Sequence, residues 1–392
     1  MANDQRRSRR LIPWMIAGTA ALAIAPLIAS GAVASAAPKS AKATPVTIGV
    51  SEMLTGPSEY YGKAALAGVE LGKNYLNAHG GILGHPVQLQ IVDDASLNTE
   101  AVTEVRGFAQ NKSIPMAVAP TYQPNFESSC TVASTYGLPI VGAQSAPLTK
   151  AQNPNVDCFV VTSNVDTQAK AALATLKRYY GIHSLVLVYD QTNAYVSEFA
   201  PVIANLAKSL GYSVSTLAVT AGQTDYGPQI TQILQAKPGV VVPNMVTEDA
   251  ARFMSQAREE GYKGMFADLI SELTNTRIYS LSNGAAKGLF AATPQSVGVP
   301  SFAAFIKLYT KTWSAPTDPT YAGFGYDAMM LVAKAMETAG TVTNRPAILK
   351  ALRSLPSLSG SIVYTNEGGG AYLTSKVYYV TLTANGYVPA KL

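Results

Sequence analysis

Histidine, cysteine and charged residues are scarce in this chain of 392 residues. It contains three histidines and two cysteines, and only 14% of its residues are charged. Two cysteines cannot build a disulfide-dense scaffold or a four-thiolate zinc site, and three histidines leave little material for metal chemistry. Hydrophobic residues make up 48% of the chain, so it can bury a large core in one two-lobed domain or two ordinary domains. No cofactor is predicted.

The net positive charge is concentrated at the amino terminus. Of the net charge of +5, four arginines and one aspartate in residues 1–36 account for +3. The rest of the chain is nearly neutral and lacks the basic stripe with which proteins bind phosphate backbones. No nucleic-acid partner is therefore predicted.

The same amino-terminal segment is typical of an export signal. Its arginines are followed by a long apolar run without charge and then by Ala34 and Ala36, small residues at the two positions that a signal peptidase reads. We predict a signal peptide over 1–36 and a linker over 37–45. An uncleaved anchor is the alternative, because the apolar run exceeds the roughly 20 residues of a membrane span. Since no cysteine lies near the cleavage site, an exported protein without a lipid anchor is expected, in the periplasm or another cell-envelope space.

Cys130 and Cys158 would then lie in an oxidising compartment. A single disulfide between them is a reasonable expectation there. Two buried thiols are the alternative, because the sequence says nothing about the distance that separates them.

Short β-branched segments alternate with amphipathic stretches along the chain. This alternation predicts βαβ units and an α/β fold with parallel sheets, whose buried strands read as continuous apolar runs. About ten strands are too many for one doubly wound sheet, which favours two lobes. Near the carboxyl terminus, residues 361–364 and 376–382 alternate apolar and polar side chains around a glycine-rich turn, and they predict a late antiparallel hairpin.

The sequence motifs of common enzymes are missing. There is no GxxxxGK phosphate loop, no GxSxG nucleophile elbow and no HExxH metal motif. We therefore predict that the protein is not an enzyme, and that it binds a ligand without changing it.

Polar and aromatic residues follow several of the predicted strands. In open parallel sheets, ligands bind outside the carboxyl ends of the strands, beside the amino termini of the helices that follow. Several such segments together predict one cleft: 54–62, 121–125, 143–146, 191–195, 244–248 and 268–272.

Four segments resemble a known family. The block LTGPSEYYG, with the asparagine and glycine pair that follow it, is similar to the amino-terminal signature of the type 1 periplasmic binding proteins of the branched-chain amino-acid (Leu/Ile/Val) ABC-transporter family. The segments GLPIVGAQSAPLT, LVLVYDQTNAYVSEFAPVIANLAKSLG and FGYDAMMLVAKAMETAG match that family in order and spacing, and the likeness covers residues 46–388.

The resemblance implies two Rossmann-like lobes that are joined by a three-crossing hinge, with a ligand trapped between them. We predict that 46–163 and 292–359 form the first lobe. The second lobe then comprises 164–291 and 360–392, and the late hairpin completes it.

The resemblance also implies roles for particular residues. Tyr61 matches the family's aromatic side chain that touches the ligand, Ala143 and Ser145 match the pair that holds its head group, and Tyr195 matches a tyrosine of the second lobe if one residue is inserted. The family's acidic ligand for an ammonium group corresponds to Asp268 or Glu272 with a shift of register. The complete predicted ligand-binding set is Tyr61, Tyr122, Gln123, Ala143, Gln144, Ser145, Tyr195, Thr247 and Asp268.

The predicted function is that of an extracytoplasmic, monomeric solute-binding protein that delivers its ligand to a membrane ABC permease. Its ligand is expected to be a small amino-acid-like or amphipathic carboxylate or amide, captured by hinge closure. The alternative is a sensory ectodomain of the same fold that signals to a membrane partner without transport. The ligand itself is not identified by the sequence.

Overall fold

The computed structural model describes residues 43–146, 148, 151–155, 157–163, 165–275, 277–294, 302–312, 318–355, 364–365, 371–373 and 377–392. The predicted signal peptide, its cleavage site and the alternative anchor lie outside these ranges. Within the ranges, no helix combines the length and the apolar character needed to cross a bilayer.

The first lobe is built on a mostly parallel sheet. Its strands are β1 (Val46–Glu52), β2 (Val87–Asp93), β3 (Ala117–Ala119), β4 (Ile140–Gly142), β5 (Cys158–Ser163), β11 (Tyr364–Thr365) and β12 (Ala371–Leu373). They lie in the order β11-β12-β5-β4-β3-β1-β2, and only β11 is antiparallel to its neighbour. The helices of this lobe are α1 (Glu59–Ala78), α2 (Asn98–Gln110), α3 (Gln123–Tyr136), α10 (Pro319–Ala339) and α11 (Arg345–Leu352).

The second lobe repeats this architecture. Its strands are β6 (Ser184–Asp190), β7 (Ser213–Val219), β8 (Val240–Asn244), β9 (Met265–Asp268), β10 (Phe290–Thr293), β13 (Tyr378–Thr383) and β14 (Gly386–Pro389). They lie in the order β14-β13-β10-β9-β8-β6-β7, and β13 is antiparallel to both of its neighbours. Its helices are α4 (Val165–Tyr180), α5 (Ala194–Ser209), α6 (Gly227–Ala236), α7 (Thr247–Glu259) and α8 (Arg277–Leu281), and α9 (Ala303–Thr312) follows β10 in the chain.

Both faces of each sheet are covered, as continuous apolar strands require. In β5, Phe159 and Val161 pack on the side of α1 and α10, whereas Cys158 and Val160 pack on the side of α2 and α3. The predicted α/β fold with parallel sheets in two lobes is confirmed.

The two cysteines join α3 to β5. Cys130 and Cys158 form a disulfide, with their Cα atoms 5.8 Å apart, inside the core between α2, α3 and the first sheet. Of the two arrangements that the sequence left open, the bridge is the one present.

The predicted lobe boundaries differ from the structure at β11 and β12. The helix α9, predicted in the first lobe, contacts both lobes: Phe302, Phe305 and Tyr309 join the core cluster of the second lobe, and the ring of Phe305 meets that of Tyr326 in α10. β11 and β12 pair with β5 of the first sheet, so the chain returns to the second lobe only between β12 and β13. The predicted single hairpin is therefore wrong: β11 pairs with β12, and β13 pairs with β10 and β14.

Two glycines bring α1 and α10 into backbone contact. A Cβ atom on Gly68 would lie 1.8 Å from the carbonyl oxygen of Ala322, and one on Gly325 would lie 1.9 Å from that of Ala65. No side chain fits at either position. This contact fixes α10 against α1, and it thereby positions the amino-terminal end of α10 beside the cavity described next.

Candidate functional site

A cavity of about 90 Å³ lies between the two lobes. One water needs roughly 10–15 Å³ on this scale, so the space is large enough for a small organic molecule. Both lobes contribute to its wall through the ends of parallel strands and the helices that follow them. The lining residues are Met53, Ser58, Tyr61, Thr121, Tyr122, Gln123, Gln144, Ala146, Thr162, Val165, Gln168, Asn193, Tyr195, Val246, Ile270, Ser271, Glu272, Pro294, Tyr321 and Phe324.

Aromatic rings form the wall of the cavity on the first lobe. The rings of Tyr61 and Tyr321 meet edge to face, with their centroids 5.0 Å apart. Tyr60 contacts both rings at the rim. Edge-to-face packing holds such rings in place, and rings held in this way offer a large contact area at a small cost in side-chain entropy. This wall suits an apolar or aromatic group.

Hydrogen bonds cross the cavity from one lobe to the other. The hydroxyl of Tyr61 donates to Oγ1 of Thr247 over 3.4 Å, and the hydroxyl of Tyr321 donates to the carbonyl oxygen of Glu272 over 2.8 Å. At the rim, the guanidinium of Arg277 lies 3.9 Å from the ring centroid of Tyr60. The two lobes therefore touch around the cavity.

Local capping places Tyr195 on the opposite wall. Asn193 precedes α5, and its side-chain oxygen accepts the main-chain N–H groups of Tyr195 and Val196 over 3.0 and 3.3 Å. This cap starts the helix at a defined residue. The ring of Tyr195 then packs edge to face on Phe199 and lines the cavity.

The carboxyl groups of Asp268 and Glu272, at the end of β9 and in the turn after it, have different roles. Asp268 accepts the main-chain N–H groups of Ile270 and Leu273 over 3.0 and 2.8 Å, and it stabilises a turn in which Ser271 has a φ of 67°. Burial raises the pKa of Asp268 to about 6. Glu272, on the same turn, faces the cavity, and burial, assisted by the nearby Asp268 and Glu248, raises its pKa to about 8.

Five of the predicted ligand-binding residues line the cavity: Tyr61, Tyr122, Gln123, Gln144 and Tyr195. The other four do not line it. Ala143 is a core residue, the hydroxyl of Ser145 donates to main-chain oxygens of the preceding loop, Thr247 accepts from Tyr61 and from Asn275, and Asp268 holds its turn.

Several lining residues were missed from the sequence. Glu272 was considered only as an alternative to Asp268, and its position one residue beyond the strained Ser271 is not visible without the turn geometry. Tyr321 and Phe324 lie in α10, more than 250 residues after Tyr61 in the chain. The sequence assigned them no role, because only the crossing of α1 and α10 brings them to the cavity.

No metal site accompanies the cavity in the ranges that the structure describes. Within them, no three His, Cys, Asp or Glu side chains are grouped in a way that can hold a metal ion.

Because the pKa of Glu272 is raised, we expect the stability of the protein to depend on pH. A carboxyl that binds its proton more tightly in the folded protein than in the unfolded chain makes the free energy of unfolding fall as the pH rises from about 4.5 to about 8. Glu272→Gln removes this contribution. At pH 8 we expect the variant to be more stable than the wild type by about 1–3 kcal/mol, with little difference at pH 5.

Chemical denaturation at a series of pH values measures the difference between the two proteins. Glu337→Gln, on the exposed side of α10, is the matched control and should differ from the wild type by less than about 0.5 kcal/mol at every pH. If the Glu272→Gln variant is only as stable as the wild type at pH 8, the Glu272 carboxyl is solvated in the folded protein.

Comparison with known proteins places the chain among binding proteins. A sequence profile of the periplasmic binding protein family matches residues 45–386. The Leu/Ile/Val-binding protein BraC3 of Rhizobium johnstonii is 26% identical over 333 residues, which are 82% of this chain and 88% of that protein. The Leu/Ile/Val-binding protein of Escherichia coli is 23% identical over 273 residues, which are 68% of this chain and 72% of that protein.

Solved structures show the same fold. A leucine-binding protein from Thermotoga maritima superposes with a TM-score of 0.76 at 19% identity, over 88% of this chain and 98% of that one. An ABC transporter substrate-binding protein from Sphaerobacter thermophilus superposes with a TM-score of 0.77 at 22% identity, over 89% and 97% of the two chains. The matched proteins bind ligands and are not enzymes, in agreement with the prediction from the sequence.

Proposed function

This chain belongs to the periplasmic binding protein family, and we propose that it captures a small amphipathic molecule between its lobes and delivers it to an ABC permease. The observation that carries the proposal is the cavity itself, because its wall combines aromatic side chains of both lobes with a few polar groups. Pockets of this composition are typical of small-molecule sites. The relatives described above as Leu/Ile/Val-binding proteins support a ligand of amino-acid size.

Capture would proceed by closure of the two lobes around the ligand. A ligand shifts a conformational equilibrium only by the difference between its affinities for the two states. Tyr61 and Tyr195 lie on opposite walls, so a molecule between them contacts both only when the lobes are together. The bonds from Tyr61 to Thr247 and from Tyr321 to Glu272 would form in the same step.

Delivery to a permease requires a location outside the cytoplasm. The basic and apolar segment over 1–36 supports export to the periplasm or another cell-envelope space. A monomer is sufficient for the proposed role, since one chain supplies both walls of the cavity.

The proposal is tested by ligand-dependent stabilisation of the purified protein. Leucine, isoleucine, valine, phenylalanine and their amides should be screened by thermal unfolding, and each active compound should then be titrated by calorimetry. A ligand present at 100 times its Kd stabilises the folded state by about 2.7 kcal/mol, which is readily measured.

Substitution of the opposing tyrosines should weaken the binding of any compound that this screen finds. Tyr61→Ala and Tyr195→Ala each remove aromatic contact area, and we expect tenfold to hundredfold weaker binding from each. Tyr179→Ala is the matched control, since this tyrosine is 49% exposed and far from the lining residues. Equal affinities in all three variants would place the ligand elsewhere, and a screen without any stabilising compound would count against capture of such molecules.

A further inference from the structure

The edge of the cavity beside β3, β4 and the start of α3 is where an anionic group of a ligand would be expected. Strand ends and helix amino termini present N–H groups there, and these favour negative charge. In this protein three of the donors at this edge are already used. The N–H of Thr121 donates to the Glu52 carboxyl over 3.2 Å, the N–H of Ala146 donates to Oε1 of Gln123 over 2.7 Å, and the hydroxyl of Ser145 lies 3.1 Å from the Thr121 carbonyl oxygen.

Gln123 occupies this edge with its own amide group. The side chain is 4% exposed, and both ends of the amide are held: Oε1 accepts from Ala146, and Nε2 donates to Glu127 over 2.9 Å. Pro124, the next residue, has no N–H to offer. The amide oxygen of Gln123 therefore takes the hydrogen bond that an oxygen of a ligand carboxylate would accept.

The charge of the cavity wall also disfavours a carboxylate. No lysine, arginine or histidine is found among the described lining residues. Glu52 lies buried behind this edge, where desolvation raises its pKa well above the ordinary value, and Glu272 lies on the opposite wall. A buried anion without a cationic partner carries a large desolvation cost, and acidic neighbours add repulsion when they are ionised.

Two polar groups of the wall have no hydrogen-bond partner among the described residues. No donor among the described residues forms a hydrogen bond to the Glu272 carboxyl, and Nε2 of Gln144 is buried without an acceptor. An unpaired carboxyl is suited to an ammonium group, and an unpaired amide N–H is suited to a neutral oxygen. Both residues line the same cavity as the tyrosines.

We propose that the ligand is a primary amine with an apolar or aromatic body and a neutral carbonyl or hydroxyl oxygen in place of an α-carboxylate. Its ammonium group pairs with Glu272, its neutral oxygen accepts from Gln144, and its body lies between Tyr61 and Tyr195. Gln123 excludes the carboxylate by filling its position. This inference rests on the proposed function, and it replaces the expectation that a carboxylate serves as well as an amide.

The test compares matched probes on the wild-type protein. L-Phenylalaninamide, L-phenylalanine, 3-phenylpropionamide and 3-phenylpropionate share one ring and chain length, and L-leucinamide with L-leucine forms a second pair. At neutral pH we expect each amino-acid amide to bind at least tenfold more tightly than its amino acid, and 3-phenylpropionate to cause no thermal shift. Calorimetry gives the Kd values.

Two variants assign the preference to particular residues. Glu272→Gln should weaken binding of L-phenylalaninamide at least tenfold and leave that of 3-phenylpropionamide, which lacks the amine, within about threefold. Gln123→Ala frees the N–H of Ala146, so the preference for the amide over the amino acid should fall at least fivefold. Gln232→Ala, on the exposed face of α6, is the matched control.

The outcomes separate this inference from the proposed function. If the amino acids bind as tightly as their amides or more tightly, the inference is wrong, and capture of a small molecule stands. If none of these probes binds, and the branched-chain amino acids do not bind either, both the inference and the proposed function fail. An unchanged amide preference in Gln123→Ala would remove Gln123 as its cause.

Discussion

Replacing Gly325 with alanine is expected to lower the free energy of unfolding by about 3–4 kcal/mol and to abolish ligand binding. The new Cβ atom would lie 1.9 Å from the carbonyl oxygen of Ala65, and neither backbone can yield without moving a whole helix. Overpacking of this kind has a high cost because α1 and α10 must separate. Tyr321 and Phe324 would move with α10, so the aromatic wall of the cavity would be lost.

Gly107→Ala is the control for this prediction, because it changes a helical glycine that lies outside the crossing of α1 and α10. Gly107 lies within α2, with no atom of the described residues within 4 Å of a new Cβ, and alanine there should stabilise the protein by about 0.5–1 kcal/mol. Urea unfolding of both variants measures the two effects. A loss of less than about 1 kcal/mol in Gly325→Ala would mean that the contact between the helices is looser than described.

Removal of the disulfide is expected to have a similarly large effect. Cys130 and Cys158 are separated by 28 positions in the sequence, and closing a loop of this length restricts the unfolded chain by about 3–4 kcal/mol. The variant with both Cys130→Ala and Cys158→Ala should lose about this much stability. The bridge joins α3 to β5 within one core, so the folded structure of the variant should be retained.

Reduction of the wild-type protein provides an independent measurement of the same quantity. Urea unfolding with and without a reductant should give the difference that is seen between the wild type and the double variant, and the reductant should leave the double variant unchanged. Equal stability of the oxidised and reduced proteins would show that the bridge contributes nothing to the free energy of unfolding.

Most of the fold was predictable because it depends on local patterns. Apolar strands without alternation can be stable only when both faces are covered, and their regular alternation with helices indicates a parallel sheet. The ends of the lobes were less predictable. The helix α9 carries an apolar face that either lobe can bury, and the short strands β11 and β12 contain too few residues for the sequence to select their neighbour.

The candidate site was predictable in part for a related reason. Residues in the loops and first helical turns after parallel strands lie at the edge of the sheet, and five predicted residues of this kind line the cavity: Tyr61, Tyr122, Gln123, Gln144 and Tyr195. Ser145 follows β4 and Asp268 is the last residue of β9, but their polar atoms are taken by nearby main-chain groups. Whether such a polar atom forms a hydrogen bond within the protein depends on the geometry of the turn. The spacing of residues along the chain does not reveal this geometry.

The sequence by itself determined the class of the protein. Its scarcity of charge and metal ligands, its alternating strands and helices and its polar strand ends all follow from the composition and order of residues, which set local conformation and burial. Only the tertiary structure decided the chemistry of the cavity. Both ends of the Gln123 amide are held by hydrogen bonds, whereas the Glu272 carboxyl accepts none from the described residues. Which polar group is bonded depends on every neighbour that reaches it, and those neighbours come from distant parts of the chain.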